Sequence, residues 1–294
     1  MPDPAVYLLV PVHNRRDITV EFARFVSAQT CENLQFVLID DGSTDGTAEA
    51  VRAESPGVKI IHGDGNLWWG GALQKGLDYL HDIGADDDSV VVICNDDVVI
   101  DEGFIETGVR LLKTKPNSLL LAQHRDSQDG LPKETGVAFD DVRMLFSVAP
   151  EPKDINCLST RGLFLTLKTA RGIGRFHTRI LNHYGSDYEW TIRAGRKGFE
   201  LWTDPRLTLI PMYEKTGHRP SASPTFSECM KLYMAKHSTS NVFMRTVLYA
   251  LTGSRRHLPM ILCSYWLACI RAAFAGARES LRLGLGAKGS DRGR

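Results

Sequence analysis

The chain has 294 residues, 43% of them hydrophobic, so it is long enough to bury the core of one large domain. Its 35 Lys and Arg residues balance 35 Asp and Glu residues, and this neutral total gives no reason to expect a nucleic-acid partner. The charge is unevenly distributed, because residues 225–294 contain 11 basic and 3 acidic residues. We therefore expect an acidic body followed by a basic C-terminal segment.

Six cysteines are scattered along the sequence without a CxxC pair, which argues against a structural zinc site and against a disulfide framework. Residues 1–14 have no basic segment ahead of their strand-length apolar run, so they lack the pattern of a secretory signal. Together these features predict a protein of the reducing cytoplasm.

Short apolar runs alternate with segments of helical spacing over the first 112 residues. The predicted strands are Val6–Val12, Phe36–Ile39, Val58–Ile61 and Ser89–Cys94, and the predicted helices are Asp17–Gln29, Thr47–Glu54, Gly71–Ile83 and Phe104–Leu112. Each strand is apolar on both faces and is followed by a helix. This pattern predicts an α/β fold with a mostly parallel sheet sandwiched by helices.

The next hundred residues are less regular. Residues 124–155 are polar and contain prolines, which favours loops and a hairpin. The remaining predicted elements are strands at Ser118–Ala122, Leu163–Leu167, Glu200–Thr203 and Leu207–Ile210, and a helix at Asp187–Lys197.

Beyond Pro224 the sequence predicts two long helices, Phe226–Leu251 and Pro259–Leu283, followed by a disordered basic tail at 284–294. The apolar run Leu258–Ile270 is 13 residues long, shorter than the roughly 20 residues that span a bilayer. Arginines flank this run, so a helix on a membrane surface is one interpretation, and a hairpin that packs on the body or forms a homodimer is the other. The predicted domains are residues 1–224, 225–283 and 284–294.

Polar residues follow three of the predicted strands at the points where each strand ends. Residues 13–14 follow the first strand, residues 40–41 the second and residues 95–97 the fourth. Ligands of parallel α/β sheets bind beyond the carboxyl ends of the strands, so we expect these residues to line a site. The turn after the first predicted strand contains no GxGxxG motif, which argues against a nicotinamide-dependent enzyme.

Two carboxylates in particular indicate chemistry. Asp96 and Asp97 end a buried strand, where carboxylate oxygens suit Mg²⁺ or Mn²⁺ beside a diphosphate. The alternative is a turn in which Asn95 and Asp96 cap backbone groups.

Ser186 and Glu189 have the spacing of a capping box, which leaves Asp187 unexplained. A carboxylate in the first turn of a helix that faces the same crevice is placed to take a proton from a hydroxyl.

The motifs VPVHN, IDDGSTDGT, CNDD and GSDYEW occur in an order that resembles glycosyltransferase family 2, the inverting nucleotide-sugar enzymes with the GT-A fold. The resemblance extends over about residues 6–210. It implies that Asp187 is the general base, and that Asp97 binds a divalent cation, Mn²⁺ or Mg²⁺. His218 is a candidate second metal ligand, and a surface-loop histidine is the alternative.

The resemblance also implies further binding residues. On the nucleotide and donor side these are Pro11, His13, Asn14, Asp41, Asn66, Trp69, Gly71, Asn95 and Asp96, and on the acceptor side they are Glu189 and Trp190. The stretch GNLWWGGALQKG departs from the family element Asn-x-Gly-x-x-x-Ala-Arg-Asn-x-Gly at Trp68 and Leu73, which leaves Lys75 as a stand-in for the missing arginine. Its Trp-Trp-Gly-Gly-Ala form is similar to rhamnosyltransferase-like subgroups.

The resemblance therefore implies a metal-dependent glycosyltransferase that moves a sugar from a UDP- or dTDP-sugar to a saccharide or lipid-linked saccharide acceptor of bacterial surface polysaccharide or glycolipid. A sugar-1-phosphate nucleotidyltransferase is an alternative, although PVHNRRD lacks the glycines of a triphosphate loop. A non-catalytic nucleotide-sugar binding module is a second alternative. The protein is expected in the cytoplasm, and it would lie on the inner face of the membrane if its C-terminal helices bind there.

Overall fold

The computed structural model describes residues 4–212, 231, 233–235 and 241–271. These residues fall into two compact units. The first contains residues 4–140 and 145–212, and the second contains residues 141–144 and the described residues from 231 onward. The predicted boundary after residue 224, the predicted tail at 284–294 and His218 lie outside the described residues.

The first unit alternates strands and helices along its sequence. Its strands are β1 (Val6–Val12), β2 (Leu34–Asp40), β3 (Lys59–His62), β4 (Val90–Ile93), β5 (Val98–Val99), β6 (Ser118–Arg125), β7 (Pro132–Glu134), β8 (Val137–Asp140), β9 (Leu145–Val148), β10 (Leu163–Thr166) and β11 (Glu200–Pro211). Its helices are α1 (Arg16–Ser27), α2 (Thr47–Glu54), α3 (Trp68–Asp82), α4 (Phe104–Leu112), α5 (Leu167–Ile173) and α6 (Ser186–Arg196).

Nine of these strands form one mixed sheet in the order β3-β2-β1-β4-β10-β6-β11-β5, with β7 paired to β6. The strands β3, β2, β1 and β4 are mutually parallel, and β11 is parallel to β6. The strand β10 is antiparallel to both β4 and β6. The predicted α/β fold with a mostly parallel sheet is confirmed. The predicted hairpin within residues 124–155 is also confirmed, as β8 and β9.

Alternate residues of the central strands enter two hydrophobic cores, one on each face of the sheet. Leu8 of β1 packs in one core with α1 and α4, and the next residue, Leu9, packs in the other with α3 and α6. This is the period of a strand that is buried on both faces. At Gly76 of α3, an added Cβ would lie 3.2 Å from the side chains of Leu9 and Ile39, so the glycine lets the helix approach the sheet closely.

Two predicted elements of the first unit are wrong in their extent. The strand predicted at Leu163–Leu167 ends at Thr166, because Thr166 Oγ1 accepts the Thr169 N–H and caps α5, a helix that the sequence reading missed. The two strands predicted at 200–203 and 207–210 are one strand, β11, which follows β6 through an irregularity between Asp204 and Thr208. Pro205, which lacks a backbone N–H, lies within this irregularity.

The predicted capping box of α6 is also wrong. Gly185, with φ +84°, is the N-cap residue, and the Ser186 hydroxyl donates to the His183 carbonyl at 2.6 Å. Glu189 binds Arg193 instead of reaching back to the helix start.

In the second unit the described residues form α7 (Val242–Thr252) and a helical stretch at 258–271. The continuous helix predicted at Phe226–Leu251 is wrong at Asn241, whose side chain accepts the Met244 N–H at 2.9 Å and caps α7. No helix among the described residues is both long enough and apolar enough to span a membrane.

Candidate active site

The carboxyl ends of β2, β1 and β4 bring the predicted strand-end residues together. We call residues 13–15, 40–41, 65–71 and 95–97 the strand-end cluster. Pro11 is buried inside β1 opposite Ile39, and His13 Nδ1 lies 2.6 Å from the Asp41 carbonyl oxygen. Asn14 has φ +51° and its Oδ1 accepts the Thr44 N–H at 2.8 Å. The first two strand turns are therefore joined by direct hydrogen bonds.

Asp41 holds the loop that precedes α3. Its side chain is buried, with Oδ1 accepting the Gly65 N–H and Oδ2 accepting the Trp68 N–H, both at 2.9 Å. Gly42 lies so close to this loop that an added Cβ would be 2.8 Å from the Gly65 nitrogen. Both oxygens of Asp41 are thus engaged by backbone donors, so this carboxylate shapes the loop at the mouth of the strand-end cluster.

The loop from Gly65 to Gly71 presents two tryptophans. Trp68 has φ +57°, a left-handed conformation that favours glycine, and its ring lies 5.0 Å from that of His183 at an interplanar angle of 46°. The Trp69 Nε1–H donates to Thr160 Oγ1 at 3.0 Å. Asn66 is exposed, whereas Gly71 is buried in the first turns of α3.

The start of α3 also touches the start of α6. The Gly70 N–H donates to the Asn182 carbonyl at 2.8 Å, and an added Cβ at Gly70 would lie 3.1 Å from Ser186. These contacts bring the first turn of α6, which contains Asp187, beside the loop that Asp41 holds. The two helices therefore share one end of the sheet.

Asp96 and Asp97 are both buried and both contact Arg15. The Arg15 Nε–H donates to Asp96 at 3.0 Å, and Arg15 Nη2 lies 3.4 Å from Asp97 Oδ2. The Thr19 hydroxyl donates to Asp96 at 2.8 Å. Burial raises the pKa of Asp96, although the Arg15 charge and the Thr19 hydrogen bond oppose that shift. Asp96 is therefore bound to α1 and does not face an open site.

Asp97 has one oxygen to offer a ligand. Asp97 Oδ1 is buried and accepts no hydrogen bond, and its nearest charge is Arg161 Nη2 at 3.7 Å. Among the described residues no three His, Cys, Asp or Glu side chains converge as a metal site. Mg²⁺ sites beside phosphates often use one or two carboxylates, with phosphate oxygens and water as the other ligands. Asp97 Oδ1, which accepts no hydrogen bond, fits that kind of site.

Asp187 lies in the first turn of α6 and is partly buried. Burial raises its pKa to about 6, against the lowering effect of the backbone N–H groups of Asp187 and Tyr188. The charge of Glu134 raises this pKa further, and the charge of Arg161 lowers it. A base is most effective when its pKa is close to the working pH, so Asp187 is well suited to accept a proton near neutrality.

Two predicted acceptor-side residues point elsewhere. Trp190 is fully buried in the core, stacks on Phe176 at 4.8 Å and donates its Nε1–H to the Gly174 carbonyl at 2.8 Å. Glu189 is buried and bound at both oxygens by Arg193. The predicted acceptor contacts of Glu189 and Trp190 are therefore wrong, because the turn of α6 directs these side chains into the protein.

Several charged residues of the site were missed by sequence reasoning. Arg15 follows the predicted VPVHN motif directly, so its place in the chain was a usable signal. We call His124, Glu134, Arg161 and Asp187 the β7–α6 cluster, because β7 and α6 supply its two carboxylates. No local pattern marks Arg161, which contacts Asp97 only because β10 runs between β4 and β6.

A mostly parallel sheet, with a carboxyl group of raised pKa at a helix start and a carboxylate oxygen without a hydrogen-bond partner near its strand ends, is typical of a glycosyltransferase of the GT-A fold. Residues 7–159, just over half of the chain, match the family model described as Glycosyl transferase family 2. The chain therefore belongs to glycosyltransferase family 2.

Known proteins agree with this assignment. The chain is similar to Glycosyltransferase GlyG of Streptococcus pneumoniae serotype 4, with 27% identity over 131 residues. The match covers 42% of this chain and 41% of that protein, so the chain spans less than half the length of this relative.

Three solved structures share the fold at low sequence identity. S. aureus TarS residues 1–349 in complex with UDP-GlcNAc gives a TM-score of 0.58 at 15% identity, covering 95% of this chain and 85% of that one. The mannosyltransferase PcManGT from Pyrobaculum calidifontis, solved with GDP-Man and Mn²⁺, gives 0.56 at 17% identity, covering 97% and 80%. GalNAc-T7 with UDP, GalNAc and Mn²⁺ gives 0.56 at 15% identity, covering 78% and 47%.

Proposed function

We propose that this glycosyltransferase is inverting and metal-dependent, and that it moves a sugar from a UDP- or dTDP-sugar to a hydroxyl of a saccharide or lipid-linked saccharide. The observation that carries the proposal is the pairing of Asp187, whose pKa is about 6, with Asp97, whose Oδ1 accepts no hydrogen bond. One group is suited to take a proton and the other to face a cation. Arg161 contacts Asp97 and influences Asp187, so both belong to one site.

In the proposed reaction Asp187 takes the proton of an acceptor hydroxyl as its oxygen attacks the anomeric carbon. The bond from that carbon to the diphosphate oxygen breaks, and its electron pair leaves with the nucleoside diphosphate. Asp97 would hold the divalent cation, which when bound supplies positive charge at the leaving diphosphate. Arg15 and Arg161 add fixed positive charge beside Asp97.

The donor side of the proposal uses the strand-end cluster. His13, Asn14 and Asn95 are exposed or half-buried at its rim, beside the loop that Asp41 organises. Leu73 is fully buried and so leaves the family's arginine position without a charge. Arg15 is better placed than Lys75 to compensate, because its guanidinium already lies against Asp97. The rhamnosyl-type donor and the bacterial polysaccharide role remain predictions.

The test is release of nucleoside diphosphate from a panel of UDP-, dTDP- and GDP-sugars, with Mn²⁺, with Mg²⁺ and with EDTA. We expect one nucleotide series to give metal-dependent release that rises with a saccharide acceptor. The same ligands should raise the melting temperature, because they bind the native state alone. Release of pyrophosphate from a nucleoside triphosphate and a sugar phosphate would instead identify a nucleotidyltransferase, and binding without turnover would identify a binding module.

We further propose that the helical residues 258–271 lie on an anionic membrane surface. The side chains of Met260, Trp266, Leu267 and Ile270 are 46–57% exposed, a large apolar area for one face of a helix. No Asp, Glu, Lys or Arg occurs between Arg256 and Arg271. The arginines at both ends can pair with anionic headgroups.

Co-sedimentation with vesicles tests this attachment. The protein should bind vesicles that contain phosphatidylglycerol and should bind pure phosphatidylcholine vesicles weakly. Replacing Trp266 and Leu267 by serine should abolish binding, whereas the control change of Ser264 to alanine should keep it. If the same apolar face instead forms a homodimer, light scattering will show a dimer that the double serine variant converts to a monomer without any vesicle binding.

A further inference from the structure

A buried ion pair lies next to the proposed base, on strands that the reaction described above does not use. His124 of β6 and Glu134 of β7 are opposite each other in this antiparallel pair. His124 is 1% exposed, and its Nδ1 lies 2.8 Å from Glu134 Oε2. Buried ion pairs add little net stability, because both charges lose their hydration. Stability alone therefore does not account for this pair.

Both ring nitrogens of His124 face acceptors. Nε2 lies 3.2 Å from the carbonyl oxygen of Arg161, and Nδ1 faces the Glu134 carboxylate. A neutral imidazole donates through only one nitrogen, so the ring satisfies both neighbours only when it carries two protons. Burial raises the pKa of Glu134, but the hydrogen bond and charge of His124 outweigh this and leave that pKa lowered. The Glu134 carboxylate is therefore stabilised in its ionised form beside the His124 ring.

The His124–Glu134 pair is also connected to Asp97, the proposed cation ligand, through Arg161. The His124 ring holds the backbone of Arg161 through its carbonyl oxygen. The guanidinium of Arg161 extends to Asp97 Oδ1, at 3.7 Å. A shift of His124 would therefore move the Arg161 guanidinium relative to Asp97.

We propose that His124 and Glu134 are positioning residues of the transfer reaction that act through Arg161 and on Asp187. Their pair fixes the backbone that carries Arg161 beside Asp97. The Glu134 carboxylate also keeps a negative charge near Asp187, so that the base favours its protonated product. This inference rests on the proposed role of Asp187 as the general base.

Charged and titratable groups on four segments bear on Asp187. Glu134 of β7 raises its pKa and Arg161 of the β9–β10 connection lowers it. Cys157 and Tyr188 stay neutral, because burial and the nearby Asp187 charge raise their own pKa values. His124 acts on Asp187 indirectly, through its contact with the Glu134 carboxylate. Glu134 and His124 are thus expected to move the pKa of Asp187 in opposite directions.

The test compares the pH profiles of kcat and kcat/KM for Glu134→Gln and His124→Gln. With Glu134→Gln the acid limb should move to lower pH by roughly one unit, the size expected for one nearby charge. With His124→Gln the unopposed Glu134 should move it to higher pH. We expect kcat to fall about tenfold in both variants while the donor KM changes less than about threefold, as for loss of a contact that acts mainly in the transition state.

The control is Glu200→Gln. Glu200 is the first residue of β11 and forms an exposed ion pair with Lys115, which precedes β6. It should leave the pH profile unchanged. A melting curve with and without UDP and Mn²⁺ shows that each variant folds and binds nucleotide. If either variant does not fold, Glu134→Ala and His124→Asn, which remove the same ionisable groups, serve in its place.

Unshifted acid limbs, or shifts in the same direction, with an active wild-type enzyme would overturn the positioning role alone. If the wild type releases no nucleoside diphosphate from any nucleotide sugar, the proposed function itself fails. The two failures are therefore distinguishable in one set of assays.

Discussion

The strand-end cluster and the β7–α6 cluster hold their carboxylates in different ways. In the strand-end cluster, Asp41 is bound by two backbone N–H groups and Asp96 by Arg15 and Thr19, so local donors offset the charge. In the β7–α6 cluster, burial and the charge of Glu134 act together to raise the pKa of Asp187 to about 6. We propose that the first region keeps its charges fixed for binding and that the second supplies the proton acceptor of the reaction.

The comparison predicts that Asp187→Asn gives the largest effect. Transfer should fall about 10³-fold, because loss of a general base commonly costs 10²–10⁴-fold. Donor binding should persist, since the strand-end cluster is intact. The acid limb of the wild-type profile should lie near pH 6, because Asp187 acts only when ionised. Glu49→Gln, in the exposed first turn of α2, is the matched control; normal turnover in Asp187→Asn would remove this residue from the mechanism.

Asp97→Asn should reduce the rate about 10²-fold and should also remove the metal dependence of nucleotide binding. Its Oδ1 is the buried oxygen left for a cation, and an amide is a much poorer ligand than a carboxylate. Isothermal titration with UDP, with and without Mn²⁺, measures this loss. Asp101→Asn, an exposed residue four positions along the same segment, should bind as the wild type does. Retained Mn²⁺ dependence in Asp97→Asn would place the cation elsewhere.

Asp41→Asn should cost about 2 kcal/mol of unfolding free energy, because one of two buried backbone N–H groups loses its acceptor. The loop before α3 would then loosen, so the donor KM should rise more than kcat falls. Urea unfolding and donor titration measure the two effects. The exposed Asp64→Asn is the control within the same loop. Unchanged stability would mean that the loop does not depend on Asp41.

The smallest effect concerns stability at the base. The folded pKa of Asp187, about 6, is raised above the ordinary pKa of an aspartate, 3.8, so its contribution to stability is present below about pH 4 and is lost as the pH rises through 6. Asp187→Asn should therefore stabilise the protein at pH 7.5 by about 1–2 kcal/mol, with no gain at pH 4. Thermal unfolding at the two pH values checks this, and an equal gain at both would rule out the linkage.

The same contrast explains what the sequence could predict. The strand-end cluster was predictable, because each of its segments follows an apolar strand directly and parallel strands end at one edge. Asp187 was identified by its place at a helix start. Arg161 and Glu134 were not, because their position depends on β10 running antiparallel between β4 and β6, and on β7 pairing with β6. No local periodicity encodes those pairings.

Errors in the elements had local causes. The helix α5 was hidden by its start at Leu167, which reads as the last residue of an apolar strand. Trp190 was assigned to the acceptor because a motif gives positions but does not tell which way a helix turns its side chains. Only packing against Phe176 settled that question.

The left-handed backbone at Trp68 has a consequence for redesign of the enzyme. An indole here costs roughly 1–2 kcal/mol of backbone strain that glycine, the residue of the family element, would not incur. The loop shape is already the one that glycine prefers, and Asp41 holds it there. Trp68→Gly should therefore delete a bulky wall beside His183 while the main chain stays in place. This single site offers protein engineers a way to open space beside the strand-end cluster without rebuilding a loop.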